Sequence, residues 1–230
     1  MSNFNFEVIA RYQDDIVSGF LLALQVAAIG LALATAIGLL TAFARTSGKR
    51  WLSAPVAAYV EFIRNVPLLL LIFIFYFGVP MFAYHALPRW VADLIVVDAK
   101  ASVIIAMAIY GGAYLSEVFR AGILSVGRRY LDAGLSLGLS RIGVARYVTL
   151  PIMLRTVLPA LSNTFISLFK DTSLAAAISL PELTFAARKI STDTFRVYEA
   201  WITVGAIYLA TSYVIALSMR AIERRIRWTV

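Results

Sequence analysis

Five long apolar runs, separated by short polar clusters, set the pattern of this chain. Crossing about 30 Å of hydrocarbon takes about 20 helical residues. The runs therefore predict five transmembrane helices at 17–44, 54–80, 99–121, 153–180 and 199–220. The segments between them differ in charge. Thirteen Lys and Arg residues fall in one set: Arg45, Lys49 and Arg50, then Arg120, Arg128, Arg129, Arg141, Arg146 and Arg155, then Arg220, Arg224, Arg225 and Arg227. Six fall in the other: Arg11, Arg89, Lys100, Arg188, Lys189 and Arg196. Cations collect on the cytoplasmic side of a membrane. This predicts an outward N-terminus, a cytoplasmic C-terminus and a long cytoplasmic loop near 122–152. Only Arg64 and Lys170 belong to neither set, and both fall inside predicted spans.

The composition agrees. The 230 residues are 61% hydrophobic and 15% charged, with a mean hydropathy of +0.82, the profile of an all-α integral membrane protein. The organisation expected is a single transmembrane domain over 1–230 with its core at 17–220. Sidedness explains most of the net charge of +8, which removes the main reason to expect a nucleic-acid partner. With no cysteine there is no disulfide, thiol nucleophile or thiolate metal site. The one histidine, His85, is read as an outer-loop residue, and no metal site is expected. The first 15 residues hold Glu7, Asp14 and Asp15 against Arg11, so a positive signal-peptide region is missing and the N-terminus is read as mature. No internal repeat supports an inverted-repeat carrier. Five spans are also few for a self-sufficient pathway, so a partner subunit is expected.

The cytoplasmic loop Arg128–Pro151 reads RRYLDAGLSLGLSRIGVARYVTLP. Leu131, Leu135, Leu139 and Ile142 recur at helical spacing, which predicts one amphipathic helix near 131–143. Asp132 near its start suits the helix dipole. Gly138 and Gly143 permit a break, and Pro151 is expected to open the next span. The pattern fits a helix on the membrane surface or one that docks a soluble partner.

The order Asp132-Ala133-Gly134, three residues, Gly138, nine residues, Val148, one residue, Leu150-Pro151 resembles the coupling loop of ABC importer permeases. In that family the pattern is Glu-Ala-Ala, three residues, Gly, nine residues, Ile, one residue, Leu-Pro. Tyr59–Gly78, Ala113–Val126 and Leu158–Leu183 are similar to spans of the polar amino acid subfamily, so the resemblance covers about 17–220. It implies a type I importer permease fold in the bacterial inner membrane. It also implies ATPase subunits docked at 128–151 through Asp132, Ala133, Gly134, Gly138, Leu150 and Pro151. A second permease subunit, identical or related, and a periplasmic binding protein would complete the assembly. The chain has no G-x-x-x-x-G-K-[ST] phosphate loop, and its only Gly-Lys, Gly48-Lys49, lacks the flanking residues. It is expected to be non-catalytic and to hold no cofactor, with ATP and Mg bound by the partner ATPase.

Three groups of polar residues are candidates for a substrate pathway. Asn163, Ser167 and Lys170 follow i, i+4, i+7 in the fourth span, with Asp171 alongside. At about 1.5 Å per residue, Lys170 lies about 28 Å along the helix from Pro151. A charge at that depth costs several kcal/mol unless paired or wet, which favours a functional role over a lysine reaching to the outer headgroups. In the resembled family the Lys-Asp-Thr-Ser-Leu segment lines the pathway. In the second span Glu61, Arg64 and Asn65 share a face, which fits an intrahelical ion pair or a pathway site. Pro67 should kink that helix and free the Ile63 carbonyl. In the third span Tyr110, Tyr114 and Glu117 align, and Glu117 can pair with Arg120 or reach the pathway. Ala108, Gly112 and Ser116 form a row of small residues suited to close helix packing or to a dimer contact. The mixed segment 182–196 is expected on the outer surface, where a binding protein could dock.

Two rivals differ in class. A passive channel or secondary carrier would leave the loop spacing unexplained. An intramembrane enzyme would rest on Lys170 with Ser173 alone. For a pathway role, Lys170→Met and Asp171→Asn should each lower substrate uptake by reconstituted vesicles without loss of assembly; full uptake by both variants would refute it.

Overall fold

The computed structural model describes residues 7–227; the two ends of the expected 1–230 domain, 1–6 and 228–230, lie outside the described residues. Among the described residues all regular structure is helical. In order the elements are α1 Glu7–Arg11, α2 Gln13–Thr46, α3 Arg50–Arg64, α4 Leu68–Phe73, α5 Val79–Ala86, α6 Arg89–Ile95, α7 Ala99–Leu124, α8 Arg128–Ser136, α9 Arg141–Val144, α10 Leu150–Asp171, α11 Leu183–Thr194 and α12 Val197–Arg227. Five helical runs are long and apolar enough to span a membrane: Gln13–Thr46, Leu68–Ala86, Ala99–Leu124, Arg141–Ile178 and Val197–Arg225.

Three local expectations change. The second span is not one kinked helix over 54–80. α3 stops at Arg64, Pro67 caps α4, and the apolar run starts only at Leu68. The Ile63 carbonyl is not freed, because the Val66 amide donates to it at 3.2 Å. The predicted helix 131–143 also breaks. α8 ends at Ser136, and Gly138 adopts φ +80°, a left-handed conformation that glycine takes without a Cβ clash. Leu131 and Leu135 therefore lie on one helix, Leu139 on the turn and Ile142 on the next helix. Pro151 lies at the second position of α10, as expected, but the helical run that carries it starts earlier, at Arg141. His85 lies in the last turn of α5, its Nδ1 2.8 Å from the Met81 carbonyl oxygen, rather than in a loop.

Both π-turns end two positions before a proline. Ile74–Gly78 precedes Pro80 and Ala145–Thr149 precedes Pro151. A helical proline donates no hydrogen bond, and its ring presses on the carbonyl four residues back. The wide turn, closed by Val79 N–H on the Ile74 carbonyl and Leu150 N–H on the Ala145 carbonyl, lets each helix continue past its proline.

Backbone contacts divide the chain into two units. Unit 1 comprises 1–32, 67–107 and 166–214; unit 2 comprises 33–66, 108–165 and 215–230. All six cations of the poor set belong to unit 1 and all thirteen of the rich set to unit 2. The grouping of the fold thus matches the charge division from which orientation was read.

In unit 1, α11 buries Leu183, Ala186, Ala187 and Ile190, spaced i, i+3, i+4, i+7, against Ile16 and Ala23 of α2 and Ala200 and Val204 of α12. Segment 182–196 is therefore a packed amphipathic helix with one free face. Glycine sets the approach of α2: a Cβ on Gly19 would stand 2.8 Å from the backbone carbon of Glu182. In unit 2, Gly112 admits Ile37 and Gly38 admits Leu115, each at a distance of 2.6 Å from a Cβ built on the glycine. The small row Ala108, Gly112, Ser116 is buried here and seats α2. Helices in lipid associate by such close packing, since burial of apolar surface adds little there.

Gly19→Val should lower the apparent unfolding temperature of the detergent-purified protein, since overpacking against backbone costs about 1–3 kcal/mol. Gly205→Val, whose Cβ meets nothing within 4 Å, is the control and should leave the temperature unchanged. Equal effects would refute the close contact.

Candidate functional site

α10 tightens after Asp171 into a 3-10 segment, Thr172–Ile178. Asn163, Ser167 and Lys170 are exposed, as their spacing predicts, while Asp171 is half-buried. No carboxylate pairs with Lys170 among the described residues. Thr172 is buried, and its hydroxyl donates to the Phe169 carbonyl at 2.7 Å. That bond turns Thr172 away from the exposed side, leaving Lys170 as the charged group the helix presents.

Behind this segment lies a polar knot that the sequence pattern did not single out. Glu182 is 1% exposed and caps α11, accepting from the Thr184 and Phe185 amides at 2.8 and 2.9 Å. The Tyr208 hydroxyl donates to the same carboxylate at 2.9 Å and accepts from the Thr184 hydroxyl at 3.2 Å. Burial pushes the Glu182 carboxyl above the usual range, and these hydrogen bonds pull against that rise. The Tyr208 ring also packs on Phe169, centroids 5.5 Å apart. The available signal was a lone Glu opening a helix, Pro181-Glu182-Leu183, without any hint of its partner 26 residues on.

Unit 2 holds a second site around Glu117. Its carboxylate takes Arg45 Nη1 at 2.6 Å and Arg120 Nη2 at 2.9 Å, with Arg64 Nη1 at 3.8 Å. Pairing with Arg120 was one of the two expected roles. Arg45, 72 residues away, was read only as a loop cation. Arg64 does not pair with Glu61 in its own helix. It turns to Glu117 and stacks over the Tyr114 ring, 5.4 Å from the centroid. The Tyr114 hydroxyl donates to the Arg64 carbonyl at 3.3 Å and accepts from Tyr110 at 3.3 Å. Asn65 donates to the Glu61 carbonyl at 2.7 Å, so its amide closes the end of α3. The arrangement knots the ends of α2 and α3 to α7 and carries two more positive charges than negative.

The cytoplasmic loop supplies the third arrangement. Gly134 of α8 is buried, and a Cβ there would meet Val144 at 3.1 Å and Val148 at 3.4 Å. The Leu139 amide returns to the Gly134 carbonyl at 3.2 Å. Asp132 and Ala133 face outward, as do Tyr130, Leu135, Leu137, Ile142, Tyr147 and Leu150. Leu137 is 83% and Ile142 80% exposed. The spacing read from sequence acquires a physical sense: the position of Gly134 must be small because the position of Val148 packs on it.

Five candidate spans, polar knots around Glu182 and Glu117, and a loop that displays its apolar residues define an all-α multi-pass membrane protein of the importer-permease type. The chain belongs to the family of binding-protein-dependent transport system inner membrane components, whose model matches residues 34–228. It is 38% identical over 213 residues to the glutamine transport system permease protein GlnP of Escherichia coli (strain K12), covering 92% of this chain and 93% of that one. It is 33% identical over 210 residues to the octopine transport system permease protein OccM of Rhizobium radiobacter, covering 90% and 84%. A crystal structure of an amino acid ABC transporter with histidines superposes with a TM-score of 0.84 at 28% identity, covering 98% of this chain and 100% of that one. The chain is thus an inner-membrane permease of the ABC importer class.

The distances around Glu117 order the coupling energies. Double-mutant cycles on thermal stability should give the largest coupling of Glu117→Gln with Arg45→Gln, about 1–3 kcal/mol, and the smallest with Arg64→Gln. A larger coupling to Arg64 than to Arg45 would contradict the geometry.

Proposed function

We propose that this chain is the translocating subunit of an ATP-driven importer for a polar amino acid or an amino acid derivative. The named relatives carry glutamine and octopine, and the superposed structure is an amino acid transporter. An amino acid brings one ammonium and one carboxylate. The unpaired ammonium of Lys170 suits the carboxylate, and Asp171 suits the ammonium, with Asn163 and Ser167 offering hydrogen bonds along the same side of α10. Arg64, Asn65 and Glu117 belong to the pathway at the cytoplasmic ends of their helices, where the surplus of guanidinium charge attracts the cargo carboxylate.

The chain itself binds no cofactor and does no chemistry. ATP and Mg belong to ATPase subunits that dock on the loop 128–151, while a second permease subunit, identical or related, completes the pathway. A periplasmic binding protein delivers the cargo. The observation that supports this most is the loop. Its apolar residues are exposed among the described residues, while Gly134 fixes α8 to Val144 and Val148. Those two valines belong to the continuous helical run Arg141–Ile178 that also carries Lys170. A push on α8 therefore acts on the helix that presents the proposed cargo site.

Gly138→Asp tests the docking. The left-handed backbone strains an aspartate by about 1 kcal/mol, and the space around Gly138 is open, so the variant should insert in the membrane. Cargo uptake should fall at least tenfold while ATPase activity continues or the ATPase detaches. Normal uptake with the ATPase bound would overturn the loop's assigned role.

A further inference from the structure

Glu182 is more than a helix cap requires. Caps are usually made by the short side chains of serine, threonine, asparagine and aspartate. Here a longer carboxylate, 1% exposed and with no cation partner among the described residues, opens α11. Burying such a group is costly, so a second use is expected of it. Its Oε1 accepts from the Phe185 amide. Its Oε2 accepts from the Thr184 amide and also from the Tyr208 hydroxyl. The Thr184 hydroxyl donates to Tyr208 in turn. The Tyr208 hydroxyl is thus held both as donor and as acceptor. From the α2 side the knot is closed by Gly19, where a Cβ would stand 2.9 Å from the Glu182 carbonyl oxygen. Every residue of the knot belongs to unit 1.

The fixed tyrosine meets the end of α10. Its ring packs on Phe169, and the Thr172 side chain stands beside its hydroxyl. Phe169 and Thr172 are three residues apart, share one face and are buried. Lys170 and Asp171 lie between them in sequence and off that face. Whatever holds Phe169 and Thr172 therefore sets the rotation of the helix end, and with it the direction of the Lys170 ammonium. The backbone at this point is not one that holds itself. It tightens after Asp171 into a 3-10 segment that ends at Ser179 in a left-handed conformation, φ 59°. Such backbone persists where its surroundings enforce it. We propose that Glu182 and Tyr208 are positioning residues that aim the Lys170 ammonium at the cargo. This inference rests on the cargo role of Lys170 given above and adds what sets its geometry.

The chain contains no cysteine, so Lys170→Cys and Asn163→Cys each give one site for a nitroxide label. Both positions are exposed on α10. The labelled full-length permease is joined with its ATPase in phosphatidylethanolamine–phosphatidylglycerol vesicles. Tyr208→Phe removes the hydroxyl and keeps the ring. It should shorten the rotational correlation time of the label at 170 at least about twofold and leave that at 163 unchanged. Glu182→Gln, which keeps one acceptor oxygen, should act in the same direction and more weakly. No change at 170 in either variant, or equal changes at 170 and 163, would overturn the positioning role. Uptake of L-glutamine, with binding protein added to the unlabelled assembly, ties the position to transport. Tyr208→Phe should lower it about tenfold in the otherwise unaltered chain and less than about twofold in Lys170→Met, where no ammonium is left to aim. Losses that multiply independently would show a merely structural role and overturn the proposal. Full uptake by Lys170→Met would instead overturn the cargo role of Lys170, and the label at 170 would still decide whether the knot holds that position.

Discussion

A charge in hydrocarbon is tolerated only when paired, hydrogen-bonded or wet, and that constraint organises this molecule. Each unit gathers the cations of one membrane side, and the polar groups inside the bundle are drawn into a few knots. Glu117 shows the rule at its strongest. A single carboxylate in the third span would be costly alone. With Arg45 and Arg120 bonded to it and Arg64 close by, it becomes the point that ties three helices together. Three guanidinium groups around one carboxylate leave that cluster with a surplus of positive charge. Lys170 is the exception: it is exposed and has no partner carboxylate among the described residues, which is why a cargo role suits it.

Small residues do the remaining structural work. Gly19, Gly38 and Gly112 each stand where any side chain would strike backbone or a branched residue of the next helix. Gly134 does the same in the loop, where Val144 and Val148 pack on it. Both valines belong to the helical run Arg141–Ile178, and that run is the element on which α8 rests. The π-turn at Ala145–Thr149 lets that element run past Pro151 without a break. The polar knot at Glu182 anchors the other end of the same run, since the α11 cap, Tyr208 and Phe169 meet there.

Much of this was legible in the sequence, and the reasons are physical. Hydrophobic length was enough for the number of spans, and the cation counts divide as the two units do; both depend only on composition along the chain. The coupling-loop spacing was legible because local identity carries it. What failed was local continuity. The leucine spacing over 131–143 fits a helix whether or not Gly138 breaks it, and the backbone chose the break. The run 54–80 was read as one kinked span, but Pro67 ended one helix and capped another. Long-range pairing was not legible at all: nothing in Arg45 itself points to Glu117, nor in Glu182 to Tyr208. Asn163, Ser167 and Lys170 were read as sharing one face, and all three are exposed, because helical periodicity alone places them together.

We propose that this chain opens and closes a path with energy borrowed through its cytoplasmic loop. Cargo uptake into vesicles carrying the permease with its ATPase and binding protein tests it most directly, with ATP supplied on the loop side or withheld and no ion gradient imposed. The account predicts accumulation above the external concentration only when ATP and both partners are present. Uptake that proceeds without ATP, or follows an imposed ion gradient, would contradict it.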